Sequence, residues 1–127
     1  MERIQPRAAA AVDPNRPAVD RMDPPTIASE LVSILGAKLA AAAGDVGATR
    51  LVREWIAGEH TPTRLAALST ALKAARVIAD RDGDIVAQRW FVGTNHLLGH
   101  ASPIEVLREN TAESRTKVMR AAVAFIE

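Results

Sequence analysis

Apolar side chains recur at three- and four-residue spacing over most of this chain, and that spacing decides what it can fold into. Ile27, Leu31, Ile34, Leu35 and Leu39 form one such series, and Leu65, Leu68, Leu72, Ala75 and Ile78 form another. A 3.6-residue period places each series on a single helix face that needs covering. No stretch alternates apolar and polar residues as a half-buried strand would. Alanine, the strongest helix former, is abundant, while the rings that favour strands are scarce: Trp55, Trp90, Phe91 and Phe125 make up the whole aromatic set. The expected fold class is all-α, a small helical bundle. With 127 residues, 48% of them hydrophobic, the chain has enough apolar surface for one compact domain or two very small ones.

Glycine, proline and capping residues set the expected boundaries. Pro24 and Pro25 block helix upstream, so the first helix starts near Thr26 and stops at Gly44. A short second helix spans about Gly47 to Ala57, with Ala48, Val52, Trp55 and Ile56 inward, Gly58 as its C-terminal cap and Pro62 beyond. A third begins near Thr61 or Thr63, either of which suits the cap position, and ends near Asp80, before the Asp82-Gly83-Asp84 turn signal. A short fourth helix carries Ile85, Val86, Arg89 and Trp90. After an irregular stretch from Val92 to His100, Ser102-Pro103-Ile104-Glu105 reads as a capped start with proline at the first helical position. That fifth helix runs to about Arg108. The last runs from about Ala112 to the end, with Val118, Ala121, Ala122, Phe125 and Ile126 on one side. Five of the seven prolines lie in residues 1–25, at Pro6, Pro14, Pro17, Pro24 and Pro25. This segment reads as a disordered leader, since the Ala8–Val12 run is too short for a helix of its own. The organisation expected is therefore a leader (1–25), a helix-turn-helix-like region (26–81) and a second helical region (82–127).

Composition excludes several classes of function. A net charge of +1 gives no global attraction to nucleic acid, so any such affinity needs a local patch. The absence of cysteine removes disulfides, thiolate nucleophiles and Cys-ligated zinc, and fits a cytoplasmic setting. No apolar run is long enough for a membrane span, and the start lacks a secretory h-region. His96 and His100 are four apart but sit in a loop reading without an adjacent carboxylate, and His60 belongs to another turn, so no metal site is expected. No nucleophile triad, phosphate-cradling loop or carboxylate pair emerges. The expectation is a non-enzyme without a cofactor.

Three stretches carry functional signals. In the second helix, Val52, Trp55 and Ile56 facing the core would leave Thr49, Arg50, Arg53 and Glu54 outward. Arginine and threonine there suit contacts to phosphates or base edges, with Arg64 a further phosphate contact; the plain alternative is a solvated helix face. From Arg89 to Leu107, a Trp-Phe pair, a loop containing Gly and Asn, and a capped helix form one unit. Trp90 and Phe91 serve either core or interface, and Leu97 and Leu98 either pack on Trp90 or meet a partner. Phe125 and Ile126, at the end of the last helix, either anchor in a partner groove or fold back on the third helix.

Over residues 27–127 these stretches resemble the Xre/MbcA/ParS family of antitoxins. Leu35-Gly36-Ala37-Lys38-Leu39 with Arg53-Glu54-Trp55-Ile56-Ala57-Gly58 and Pro62 is similar to the family's Xre-like helix-turn-helix. It is a degenerate version, because the Ala40–Ala43 run and Gly44-Asp45-Val46-Gly47 do not match a tight standard turn. Trp90-Phe91, Gly93, Asn95, Leu98, Gly99, Ser102-Pro103 and Leu107-Arg108 are similar to its toxin-binding domain. The resemblance implies an antitoxin that neutralises a RES-type, NAD-consuming toxin by obstructing its active site. It also implies possible repression of its own promoter, as a homodimer or within a larger assembly with the toxin. The toxin-binding residues implied are Trp90, Asn95, Leu98, Arg115, Lys117, Val118, Arg120, Ala121, Phe125, Ile126 and Glu127. DNA contact falls to Thr49, Arg50, Arg53 and Arg64. A free-standing helix-turn-helix transcriptional regulator is the alternative.

Overall fold

The structure, a computed structural model, describes residues 13–127. Among them the chain is all-helical: α1 (Pro24–Leu35), α2 (Ala37–Ala43), α3 (Thr49–Ala57), α4 (Leu65–Asp82), α5 (Asp84–Val92), α6 (Pro103–Glu109) and α7 (Ala112–Ile126). Two 3-10 turns, Val19–Arg21 and His96–Leu98, complete the regular structure.

The start of α1 follows from its sequence. The Asp23 side chain accepts a hydrogen bond from the Thr26 N–H at 3.0 Å, and Pro24 and Pro25 occupy first-turn positions where no donor is needed. The single helix expected from Thr26 to Gly44 is instead two. Gly36, at φ 89° and ψ 162°, turns the chain sharply between α1 and α2. A residue with a Cβ rarely adopts that conformation, so glycine makes the corner available. The apolar series continues through it, with Leu35 buried before the corner and Ala40 after it. Gly83 makes a second corner of the same kind between α4 and α5, at φ 96° and ψ 167°. Gln88 of α5 donates to the Ile34 carbonyl at 2.9 Å, satisfying an acceptor that the end of α1 leaves open.

Helix α3 ends as expected. Gly58 is left-handed at φ 78°, and the Glu59 N–H reaches the Glu54 carbonyl at 2.9 Å. Neither Thr61 nor Thr63 caps α4. That helix starts at Leu65, behind Arg64, without a side-chain cap.

Helix α4 lies at the centre, packed against α1, α5 and α7. One apolar cluster joins Leu31 and Ile34 of α1, Val52 and Trp55 of α3, Leu68, Leu72 and Ile78 of α4, Phe91 of α5, Leu107 of α6, and Val118 and Ala122 of α7. The boundary read between residues 81 and 82 therefore falls at a helix corner inside a shared core.

The disordered leader read over residues 1–25 is corrected from Asp13 onward. Val19 is buried, Arg16 pairs with both oxygens of Asp80 at 3.0 and 2.6 Å, and Lys73 reaches Asp20 at 2.7 Å. The ordering groups sit on α4, 64 residues along the chain for the Arg16–Asp80 pair, where local composition gives no sign of them. Residues 1–12, with the Ala8–Val12 run, lie outside the described residues.

Candidate functional site

The C-terminal third builds an exposed apolar face from the inside outward. Phe91 is fully buried, and Trp90 meets it edge-on, with ring centroids 5.0 Å apart at 89°. Asn95 then closes the following loop. Its side chain accepts from the Leu97 N–H at 2.9 Å, its N–H donates to the Ala101 carbonyl at 3.1 Å, and its carbonyl accepts from the His100 N–H at 2.9 Å. This closure turns Leu98 into the core and leaves Leu97 53% exposed.

Helix α6 opens with a reciprocal capping box. The Glu105 N–H donates to Ser102 Oγ at 3.2 Å, and Glu105 Oε1 accepts from the Ser102 N–H at 3.0 Å. Hydrogen bonds from Ser102 hold the Glu105 carboxyl below the usual glutamate range. Thr111 and Ser114 form a second box at the start of α7. Between the two helices the chain turns at Asn110, left-handed at φ 49°, whose N–H donates to the Leu107 carbonyl at 3.0 Å.

Along α7, Val118, Ala121 and Ala122 are buried, while Phe125 in the last turn is 47% exposed. The Phe125 ring lies 6.5 Å from that of Trp90, tilted by 56°. Two clefts are lined by this pair, and a third adjoins them. One, of about 520 Å³, is lined by Leu97, Leu98, Val106, Glu109, Lys117 and Arg120 together with Ala121 and Ala124. A second, about 300 Å³, is lined by Val86, Arg89, Trp90, Thr94, Asn95 and Phe125. The third, about 260 Å³, shares Leu97, Ala121 and Ala124 with the first, and Trp90, Asn95 and Phe125 with the second. The face is therefore continuous. Trp90 Nε1 is buried with no hydrogen-bond acceptor among the described residues. An unmade bond of this kind costs about 1–3 kcal/mol.

Of the residues assigned to toxin binding, the structure gathers Trp90, Asn95, Leu98, Lys117, Arg120, Ala121 and Phe125 around these clefts. Val118 is corrected to a core residue at 0% exposure, packed where α7 meets α4. Trp90, Leu98 and Ala121 are themselves mostly buried, and form walls more than open surface. Arg115 bonds Asn110 Oδ1 at 2.8 Å, Ile126 packs against the core, and Glu127 is exposed but lines no cleft. Arg89 and Leu97 complete the face without having been assigned to it. Leu97 had a signal in the Leu-Leu pair, but only the Asn95 closure decides which leucine stays outside.

A second feature lies around the start of α3. Thr49, Arg50, Arg53, Lys38 and Arg108 line an open groove of about 630 Å³, floored by Ala41, Ala42 and Val46, and no acid lines it. Ala48 provides no side-chain cap, so the α3 amides are left without one. Arg50 is paired with Glu54 at 2.8 Å, and Arg108 lies 3.8 Å from Asp45. Arg108 comes from α6, and nothing in the local sequence ties it to α3. Arg64, read as a phosphate contact, is corrected. It donates to the Arg108 carbonyl at 2.5 Å and pairs with Asp45 at 3.5 Å, so it ties α6 to the α2–α3 turn and does not line the groove.

Among the described residues no cluster of metal-ligating side chains occurs, and no helix is long and apolar enough to cross a membrane. In comparison with known proteins, the chain matches no family model, no curated sequence and no solved structure.

Proposed function

We propose that this chain is the antitoxin of a toxin–antitoxin pair. It binds a RES-type, NAD-consuming toxin through the Trp90–Phe125 face and obstructs the toxin's active site. The observation that carries the reading is Phe125. A large ring at 47% exposure, beside a buried Trp90 whose N–H has no acceptor among the described residues, is surface built to be covered. Of the segment that resembles the family's toxin-binding domain, Trp90 to Arg108, the residues Trp90, Asn95, Leu97, Leu98 and Val106 line this face with α7.

Inhibition of this kind works by occupancy, and the chain needs no catalytic group. A standard interface buries roughly 1,600 Å² in total, with a few apolar anchors carrying most of the energy. Phe125 and Leu97 are the exposed anchors here. The test is co-expression with the product of the adjacent gene, followed by co-purification and an assay of NAD loss. A stable complex with NAD consumption suppressed supports the reading. A toxin that stays active beside the chain, with no complex, refutes it.

A second reading, a DNA-binding regulator, is favoured by the groove at the start of α3, with Lys38, Arg50, Arg53 and Arg108 around it and no acid lining it. It predicts operator binding by the chain alone, weakened by added salt and by Arg53→Ala. The two readings use different faces and are compatible in one autorepressing antitoxin.

A further inference from the structure

The three adjoining clefts, two of them lined by Phe125, differ in what borders them, and the borders specify an occupant. Arg89 lines the cleft at one end and Arg120 the cleft at the other, with the apolar cleft of Trp90, Leu97, Ala124 and Phe125 between them. Both arginines are exposed, and neither has an ion pair among the described residues. Lys117, beside Arg120, is paired with Glu113 at 3.2 Å, one turn earlier on α7. Glu109 is the acid that lines the face; Glu127, two residues after Phe125, lines none of the clefts. His96 borders the middle cleft. Each end of the rim thus carries an exposed arginine without an ion pair among the described residues, around an apolar centre, and Glu109 is the acid beside Arg120.

From this arrangement we infer that the face receives an acidic segment of the protein partner, with an apolar side chain against Phe125 and Leu97 and carboxylates reaching Arg89 and Arg120. The inference rests on the antitoxin reading for the partner's identity and adds the chemistry of the segment that docks. Guanidinium groups suit this task because each offers a planar fork of donors to a carboxylate. Rim charges act mainly on encounter and on partner choice, while the apolar centre holds the complex. A second copy of this chain is a poorer occupant, since its own face lines the clefts with one carboxylate, Glu109, for the two arginines.

The experiment uses the full chain and the purified product of the adjacent gene, with affinity measured by calorimetry at low and high salt. Arg89→Glu with Arg120→Glu is expected to weaken binding about tenfold or more at low salt, and to reverse the sign of the salt dependence, because added salt then screens a repulsion. Both side chains are exposed, so an unchanged thermal midpoint is the control for folding. Lys38→Glu with Arg53→Glu, on the separate groove at α3, is expected to leave this affinity unchanged. If the Arg89/Arg120 reversal binds like the parent while Phe125→Ala weakens binding, the acidic segment is refuted and the antitoxin reading stands. If the chain alone is dimeric and Phe125→Ala makes it monomeric, a second copy covers the face and the inference falls. No complex between the parent chains refutes the antitoxin reading, and the inference with it.

Discussion

Arg76 of α4 grips Glu30 of α1 through two hydrogen bonds, 2.5 Å from Nε and 2.6 Å from Nη2. Its remaining donors reach the Pro17 carbonyl at 2.7 Å and the Met22 sulfur at 3.3 Å. One guanidinium, 7% exposed as a residue, therefore joins α1, α4 and the segment before α1. Arg76→Ala leaves the mostly enclosed Glu30 carboxylate without its guanidinium partner, and is expected to cost about 3 kcal/mol. In a chain of this size that lowers the thermal midpoint by roughly 10 °C. Glu30→Leu with Arg76→Met is expected to recover much of the loss, because removing both charges leaves neither stranded. Circular dichroism melts of the three variants check this, and proteolysis between residues 13 and 23 should accelerate in Arg76→Ala.

Gly44 marks a close approach that a sequence pattern cannot show. A Cβ built there falls 2.5 Å from Cη2 of Trp55 and 3.2 Å from its Cζ3. Trp55 is 4% exposed and has little room to retreat. Gly44→Ala is expected to destabilise by about 1–3 kcal/mol through this overlap, since φ at Gly44 is an ordinary −84°. Gly47 is the control. A Cβ there meets nothing within 4 Å, so Gly47→Ala is expected to be neutral or to stabilise by about 0.4–1 kcal/mol through the unfolded state. Chemical denaturation gives both values, and the Trp55 emission reports whether the α2–α3 contact has shifted.

The caps of α1 and α6 predict how the fold responds to acid. Hydrogen bonds from Thr26 lower the Asp23 carboxyl, and those from Ser102 lower that of Glu105. A carboxyl depressed in the folded state stabilises it fully above the unfolded value, about 4 for these residues, and loses that contribution as the pH falls through the folded value. Glu105→Gln and Asp23→Asn should therefore lower the denaturation midpoint at neutral pH. The gap from the parent should narrow as the pH is taken down toward about 3. A gap that is constant across this range would mean that the charge on these caps contributes nothing.

Helix content was legible in the sequence because it depends on local spacing and local caps. The starts of α1, α6 and α7, and the glycine end of α3, follow from residues within one turn. What escaped depends on partners far along the chain or on backbone angles that a pattern does not encode. The Gly36 corner leaves the apolar spacing intact, so α1 and α2 read as one helix. Arg16 and Val19 sit among prolines and look unstructured until Asp80 and the rest of α4 are in place. Arg108 joins the α3 groove only through the fold, and Arg64 leaves it for the same reason. For the apolar face, the sequence pointed to the segments that form it but not to the sides of them left exposed, because Val118 and Phe125 share a helical stripe whose end outruns the core.

Val118 and Phe125 separate stability from binding. Both lie on one side of α7, seven residues apart, yet Val118 is 0% exposed and Phe125 47%. Val118→Ala removes packing from the α4–α7 contact and is expected to cost about 2 kcal/mol of stability. Because the buried site does not meet a partner, binding per folded molecule should stay near that of the parent. Phe125→Ala is expected to change stability by no more than about 1 kcal/mol, because half the ring is already in water. If Phe125 anchors the partner, the same change weakens the complex about tenfold or more, equivalent to at least roughly 1.4 kcal/mol. Thermal melts paired with calorimetric titration of the adjacent gene's product measure both quantities on the same samples. A Phe125→Ala protein that keeps full affinity would remove the exposed ring from the binding face and return the question to Leu97 and the α6 side of the clefts.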